Sequence, residues 1–281
     1  MTLAEAVEAA LGVRPSSLRS LGGGCIAEVV ALDLPDGQRL VAKRGASGQP
    51  GLELEAWMLA KLRDHRLPVP EVIHAGNDLL IMTRLDDGGR LDAAAETRAA
   101  EAMAALHANS AEAFGLERET VIGSLPQPNP WNERWLPFFA EQRLRAMARL
   151  AHERGRLPAE DRTSVEDLAG RLDRYLDEPQ QPALLHGDLW SGNVLVGRDG
   201  AVGFIDPAVY YGHPEVELAF TTLFGTFGEA FFRRYAELAP LEPDFFEARR
   251  DLYNLYPLLV HVALFGGGYL QGVRRVLRRF L

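Results

Sequence analysis

Leu3, Ala6, Val7 and Ala10 recur at helical spacing behind Thr2 and Glu5, a capping-box pair, so the pattern predicts that the chain opens with an amphipathic helix. Alternating apolar positions then predict strands near 17–21, 26–34 and 38–44, with Pro35-Asp36-Gly37 turning the second into the third. Helical spacing returns in 51–65, where Leu52, Ala56, Leu59 and Leu62 form a stripe, and Leu67-Pro68-Val69-Pro70 ends it. Two further strands near 71–75 and 79–85 make five. Beyond Asp86-Asp87-Gly88-Gly89, which reads as a hinge, the pattern turns helical. It predicts an alanine-rich helix near 92–109, helices near 135–155 and 162–177, and mostly helix from 215 to 280. Pro126 to Pro130 reads as a short stiff loop. In the last segment Val273, Val276, Leu277 and Phe280 oppose Arg274, Arg275, Arg278 and Arg279, expected to be a solvated face. The fold class expected is α+β in two parts: an antiparallel sheet with one key helix over 1–86, and a larger, mainly helical part over 87–281.

The candidate chemistry lies where this patterning is interrupted. HGDLWSGN at 186–193 is followed, after Val194-Leu195-Val196, a Gly197–Gly200 turn and Val202-Gly203-Phe204-Ile205, by Asp206. Such a hairpin would return Asp206 to the vicinity of Asn193. The spacing from His186 through Asp188 to Asn193 matches the kinase loop H-R-D-x-x-x-x-N, with Gly187 in place of arginine and IDP in place of D-F-G. Phosphoryl transfer needs an acceptor for the hydroxyl proton, which Asp188 supplies. It also needs hard oxygen ligands for Mg²⁺, which Asn193 and Asp206 supply. A pair of carboxylates on a surface hairpin is the plainer reading, and the register of His, Asp, Asn and Asp argues against it.

A kinase reading asks for nucleotide-binding groups in the first third. Gly22, Gly23 and Gly24 open a strand and suit a turn that brings N–H groups to phosphate, although such a run alone is equally a flexible turn. Lys43 and Lys61 are the only lysines, all other basic residues being arginine. Lys43 ends Leu40-Val41-Ala42-Lys43, where a compact ammonium suits phosphate, while Lys61 reads as a solvated helix residue. Glu55 lies on the apolar stripe of helix 51–65, so it is expected to bond Lys43 unless it reaches water at the stripe's edge. Met82 and its strand would line the adenine pocket or be plain core. His107 and His186 read as structural histidines, the latter bracing the loop.

Composition narrows the partners. With 30 basic and 39 acidic residues the net charge is −9, which argues against nucleic acid. Neither a membrane-spanning run nor a leader is visible at the start, and the single cysteine rules out an intrachain disulfide framework, so the expected place is the reducing cytoplasm. Cys25, in the glycine run, is either an inert small side chain or a redox-sensitive thiol able to join two chains, so a monomer and a homodimer both stay open.

HGDLWSGN, FIDPAVYYGHPEVELA at 204–219, GSLPQPN at 123–129, Trp131 and Trp135 before Phe138-Phe139, and LYPLLVHVALFGGGYL at 255–270 together resemble the fructosamine kinase family, a branch of the protein-kinase-like superfamily. The resemblance runs almost end to end. It implies a two-lobed protein-kinase-like fold and an ATP- and Mg²⁺-dependent kinase for a sugar hydroxyl, typically at C3, of a free or protein-bound ketosamine. Carried onto this chain, Asp188 is the base, Asn193 and Asp206 hold Mg²⁺, and Lys43 with Glu55 clamps phosphate. Trp190 faces the sugar or packs under the loop, and Tyr210, Tyr211 and Glu215 are substrate-side candidates. Pro207 and the two tyrosines favour this reading over an aminoglycoside, choline or sugar kinase, and the intact catalytic set favours it over a nucleotide-binding pseudokinase. The chain departs from the family's common His-Arg-Glu at His213-Pro214-Glu215, which puts the role of the middle position in doubt.

Overall fold

The structure, a computed structural model, describes residues 1–21, 27–45 and 51–281. Gly22, Gly23, Gly24 and Cys25 lie outside the described residues. The described chain forms two compact units, one of Met1–Arg98 with Asn193–Pro207 and one of Ala99–Gly192 with Ala208–Leu281.

In the first unit, α1 (Leu3–Leu11) starts at the expected capping box, Thr2 and Glu5 each bonding the other's backbone N–H. Strands β1 (Ser17–Ser20), β2 (Ala27–Asp33) and β3 (Arg39–Gly45) follow, then α2 (Leu52–Asp64), β4 (Val72–Ala75) and β5 (Leu79–Thr83). They form one antiparallel sheet of order β1-β2-β3-β5-β4. Side chains alternate across its faces. Val30, Leu32, Leu40, Ala42, Leu79 and Ile81 bury one face against Leu3, Ala6 and Val7 of α1. Lys43 pairs with Leu80, and Val41 with Met82, so these four share the opposite face.

The second unit is mainly helical. After α3 (Ala93–His107), β6 (Thr120–Ile122) and β7 (Leu125–Gln127) make a hairpin where a stiff loop was expected. Pro126 hides it in the sequence, yet a two-stranded ribbon tolerates a proline on its solvent side, and Pro126 is exposed. Helix α4 (Trp135–Phe138) continues through a π-helical stretch, Phe139–Arg145, into α5 (Ala146–Glu153). The helix expected over 162–177 is instead α6 (Ala159–Ala169), which begins after Pro158 and stops at Gly170, followed by a short 3-10 turn at Leu172–Arg174.

Strand β8 (Ala183–Leu185) leads to the HGD loop, and the chain then contributes β9 (Val194–Val196) and β10 (Val202–Phe204) to the first unit. Back in the second unit, β11 (Tyr210–Gly212) pairs with β8, and α7 (Pro214–Leu223), α8 (Glu229–Leu238), α9 (Arg250–Tyr253), α10 (Leu255–Phe265) and α11 (Leu270–Phe280) complete it. Pro214 takes the first turn of α7, where its missing N–H costs nothing, and the His213 ring accepts the Glu215 N–H as N-cap. The α11 arginines are not all solvated: Arg274 grips the nearly buried Asp161 carboxylate with two nitrogens at 3.0 and 2.8 Å, and Arg279 pairs with Asp251. Among the described residues, no helix is long and apolar enough to cross a membrane.

Candidate active site

In the sheet unit, Lys43 is 7% exposed and its ammonium bonds Glu55 Oε1 of α2 at 2.6 Å and the carboxylate of Asp206. Glu55 sits on the buried stripe formed by Leu52, Ala56, Met58, Leu59 and Leu62, so the helix delivers its carboxylate to the sheet face that carries Lys43. Burial alone would pull the Lys43 ammonium down. The carboxylates of Glu55 and Asp206 outweigh it and hold the group above its usual range, fully charged at neutral pH. Burial pushes the Glu55 carboxyl up, against the pull of Lys43. Glu53 points to solvent, and Lys61 lies over the Trp57 ring at 5.4 Å.

Asp206 reaches this cluster because the β9–β10 hairpin folds back on itself. Val194 pairs with Phe204, Ile205 N–H donates to the Asn193 carbonyl at 3.1 Å, and the Asn193 amide lies 3.4 Å from the Asp206 carbonyl. The hairpin is fastened to its own unit by the Phe204 N–H on the Pro68 carbonyl and by Gly203 packed on Leu85. Its turn is fastened to the stretch expected to be a hinge, Arg198 N–H donating to Asp86 and Gly89 N–H to the Val196 carbonyl, both at 2.8 Å. Asp206 adopts φ 54°, a left-handed conformation that few non-glycine residues take and that tends to persist at functional positions. Its side chain is 46% exposed, so the carboxylate is open on the side away from Lys43. Among the described residues no three His, Cys, Asp or Glu cluster into a metal cage. One carboxylate and one amide oxygen are instead a set that fits Mg²⁺, which keeps waters and nucleotide phosphates as its remaining ligands. Met82 is buried on the Lys43 face of the sheet.

In the helical unit the HGD loop is held through its backbone. Glu217, 2% exposed on α7, accepts the Gly187 N–H at 2.5 Å on one oxygen and the His186 N–H at 3.1 Å on the other. His107 Nε2 lies 2.9 Å from that second oxygen, and the Tyr235 hydroxyl lies 2.7 Å from His107 Nδ1. Burial would raise the Glu217 carboxyl, but the bond from His107, the charges of His107 and His186 and the Gly187 N–H hold it below the usual carboxylate range. Asp188 N–H donates to His186 Nδ1 at 3.3 Å, so His186 braces the loop as expected. Gly187 has φ 87°, and a Cβ there would collide with the Ala208 carbonyl, so both the turn and its packing demand glycine. His107 is thus the structural histidine that was expected, while its partners Glu217 and Tyr235 were given no role by sequence reasoning. The available signal was an acid inside the apolar run Val216 to Phe220.

The substrate-side candidates separate. Trp190 is 38% exposed, and its indole lies across Gly192, where a Cβ would strike the ring. Tyr211 is nearly buried, its ring 6.2 Å from that of the exposed Trp131. Tyr210 is wholly buried with the Arg143 guanidinium 3.9 Å from its ring centroid, and Glu215 is buried in a two-nitrogen pair with Arg249 at 2.8 and 2.7 Å. Tyr210 and Glu215 thus build the frame of the unit rather than its surface.

The fructosamine kinase family model matches residues 2–281. A probable ketoamine kinase of Synechocystis is 39% identical, covering 100% of this chain and 96% of the relative. The chloroplastic protein-ribulosamine 3-kinase of Arabidopsis thaliana is 32% identical, covering 95% of this chain and 83% of the relative. The crystal structure of a candidate fructosamine-3-kinase from Thermobifida fusca superposes with a TM-score of 0.85 at 34% identity, each chain covered to 99%.

Proposed function

The chain belongs to the fructosamine kinase family, and on that premise we propose that it moves the γ-phosphoryl group of ATP to the C3 hydroxyl of a ketosamine, the adduct of a reducing sugar and an amine. The observation that carries the reading is the Lys43 ammonium seated between Glu55 and Asp206, three charges from distant parts of the chain that serve phosphate and metal together.

Asp188 accepts the proton of the attacking hydroxyl. Asn193 and Asp206 hold Mg²⁺, which when bound neutralises charge on the nucleotide phosphates. Lys43, kept in place by Glu55, contacts the α- and β-phosphates, and Met82 lines the adenine side. A phosphate-binding role for Gly22, Gly23 and Gly24, which lie outside the described residues, belongs to the same proposal. Trp190 offers its exposed indole face to the acceptor, with Tyr211 beside Trp131 as a second acceptor-side aromatic. Phosphorylation at C3 makes the adduct unstable and frees the amine, so the activity is a deglycation, acting on small or protein-bound ketosamines in the cytoplasm.

The test is ATP consumption with Mg²⁺ against fructosyl-lysine, ribulosyl-lysine, kanamycin, choline and free ribulose. Turnover confined to the ketosamines is expected. Turnover of kanamycin or choline in their place would assign the chain a different acceptor class.

A further inference from the structure

Three of the exposed aromatic side chains of the helical unit, Trp190, Phe224 and Phe265, belong to one series of rings. Starting at Trp190, two residues after Asp188, the Phe224 ring meets the indole edge-on at 6.2 Å, and Phe224 is itself 38% exposed. Phe224 continues to His261 at 5.0 Å and Tyr269 at 6.5 Å, and His261 to Tyr269 at 4.8 Å. Phe265, 55% exposed, closes the series at 5.7 Å from His261. Five rings from the HGD loop, the end of α7, α10 and the turn after it therefore make one continuous surface. An exposed run of this size that begins at a catalytic loop calls for an occupant.

We infer that Phe224, His261, Tyr269 and Phe265 extend Trp190 into the subsite that binds the ammonium nitrogen of the acceptor and the first carbons of the amine it came from. This rests on the ketosamine reading and adds to it the part of the substrate beyond the sugar. Three observations carry it.

The first is distance. In a ketosamine the nitrogen is bonded to C1, so it lies on the order of 5 Å from the C3 oxygen. Two residues of chain span at most roughly 7 Å, so a C3 hydroxyl presented to Asp188 leaves the nitrogen within reach of the Trp190 ring. The second is charge. Aromatic faces attract a cation, and among the described residues no lysine or arginine is seated over any of the five rings. His261 is the only titratable imidazole among them. Its Nδ1 lies 2.7 Å from the Pro257 carbonyl, which can only accept, so Nδ1 bears the hydrogen and Nε2 is left as a lone pair. Burial pushes that imidazole below its usual range, so it stays neutral at pH 7. The third is preorganisation. Gly192 lets the indole lie flat on the loop, and the Phe224–His261–Tyr269 contacts lock the next rings, so little ordering remains to be done on binding.

The test uses two acceptors differing at one atom: an N-butyl-1-amino-1-deoxyketose, cationic at neutral pH, and the 1-O-butyl ketose, in which an ether oxygen replaces the ammonium. The purified full chain is expected to favour the amine by about tenfold in kcat/KM, the size that cation–π contacts supply. In Phe224→Leu and Tyr269→Leu, which keep apolar bulk and lose the π face, that ratio is expected to fall towards one. Because the ratio is taken within one protein, a variant that folds less well lowers both numbers and leaves it readable. A wild-type ratio near one, or a ratio unchanged in both variants, overturns the inference while the ketosamine reading stands. Turnover of neither compound, with another alcohol phosphorylated in their place, overturns both.

Discussion

The two units fix their candidate functional groups by opposite means. In the sheet unit the side chains proposed to act hold one another, Lys43 bonding Glu55 and Asp206 directly, so each partner is also a proposed working group. In the helical unit Asp188 sits on a loop whose backbone N–H groups are captured by Glu217, a residue that works only through them. The charges of the sheet unit are thus ordered by one another, and the loop of the helical unit by a carboxylate that the bond from buried His107 helps hold below its usual range. Substitutions in the sheet unit should therefore act on nucleotide affinity, and those behind the loop on turnover and stability.

The sharpest separation comes at Asp188. Asp188→Asn keeps the side-chain shape and removes the base, so kcat is expected to fall by roughly 10² or more with MgATP affinity held within a few-fold. Single-turnover kinetics with calorimetric titration of the nucleotide checks it, and retained turnover would take Asp188 out of the base role. Lys43→Met is the counterpart in the sheet unit. It strips the counter-ion from Glu55 and Asp206, and MgATP binding is expected to weaken by about tenfold or more, an ion-paired contact to phosphate being worth roughly 1.5–3 kcal/mol. Unchanged nucleotide affinity would break the division of labour drawn above.

Glu217→Gln tests the other side. The amide keeps one acceptor oxygen but turns an NH₂ toward a backbone N–H, leaving a buried donor unsatisfied. A loss of about 1–3 kcal/mol is expected, seen as a lower urea midpoint, together with a fall in kcat that leaves the KM for ATP in place. A variant as stable and as fast as wild type would show that the loop holds its shape without the carboxylate.

What was legible in the sequence follows the same division. The helical stripe and strand alternation set α2 and β3 in place, and a carboxylate on an apolar stripe demands a partner, so with Lys43 singled out by its kinase-like strand the Lys43–Glu55 bond could be anticipated. The strand-turn-strand pattern likewise placed Asp206 beside Asn193. The hydrogen bonds of Glu217 could not be anticipated, because they join α7 to backbone 30 residues earlier and leave no periodic trace. The same holds for Arg274 on Asp161: a basic face on an amphipathic helix looks solvated until the neighbouring helix is known. The β6–β7 hairpin was hidden by Pro126, and β8 and β11 are three residues each, too short for alternation to register.

The smallest expected effect lies at the start of α7, where this chain departs from its family's usual sequence. His213 Nδ1 accepts the Glu215 N–H at 3.1 Å, a cap that needs the ring's lone pair. Burial, then the positive charge of Arg249, then His107 hold the imidazole down at about 3, against 6.5 for an ordinary histidine. The folded-state value is the lower one. Above pH 6.5 neither state binds the proton and the stabilisation is whole; as pH falls from 6.5 towards 3 the unfolded chain takes up a proton that the folded chain refuses, and stability is lost. Glu217, also held low, adds a loss of the same sign, but only below the ordinary carboxylate range near 4.5. The window from pH 6.5 to 5 thus belongs to His213 together with His261, whose imidazole burial also holds below its usual range. Wild type is expected to lose about 1.5 kcal/mol or more across it, since each pH unit below the unfolded value is worth up to about 1.4 kcal/mol, or a Tm drop of about 3–6 °C. His213→Asn keeps a capping oxygen that does not titrate, and over the same window its stability should fall by less than that of wild type, the His261 share alone remaining. Equal losses in the two proteins, read as urea midpoints at pH 7 and 5, would assign the effect to other groups and leave His213 a cap without a pH role.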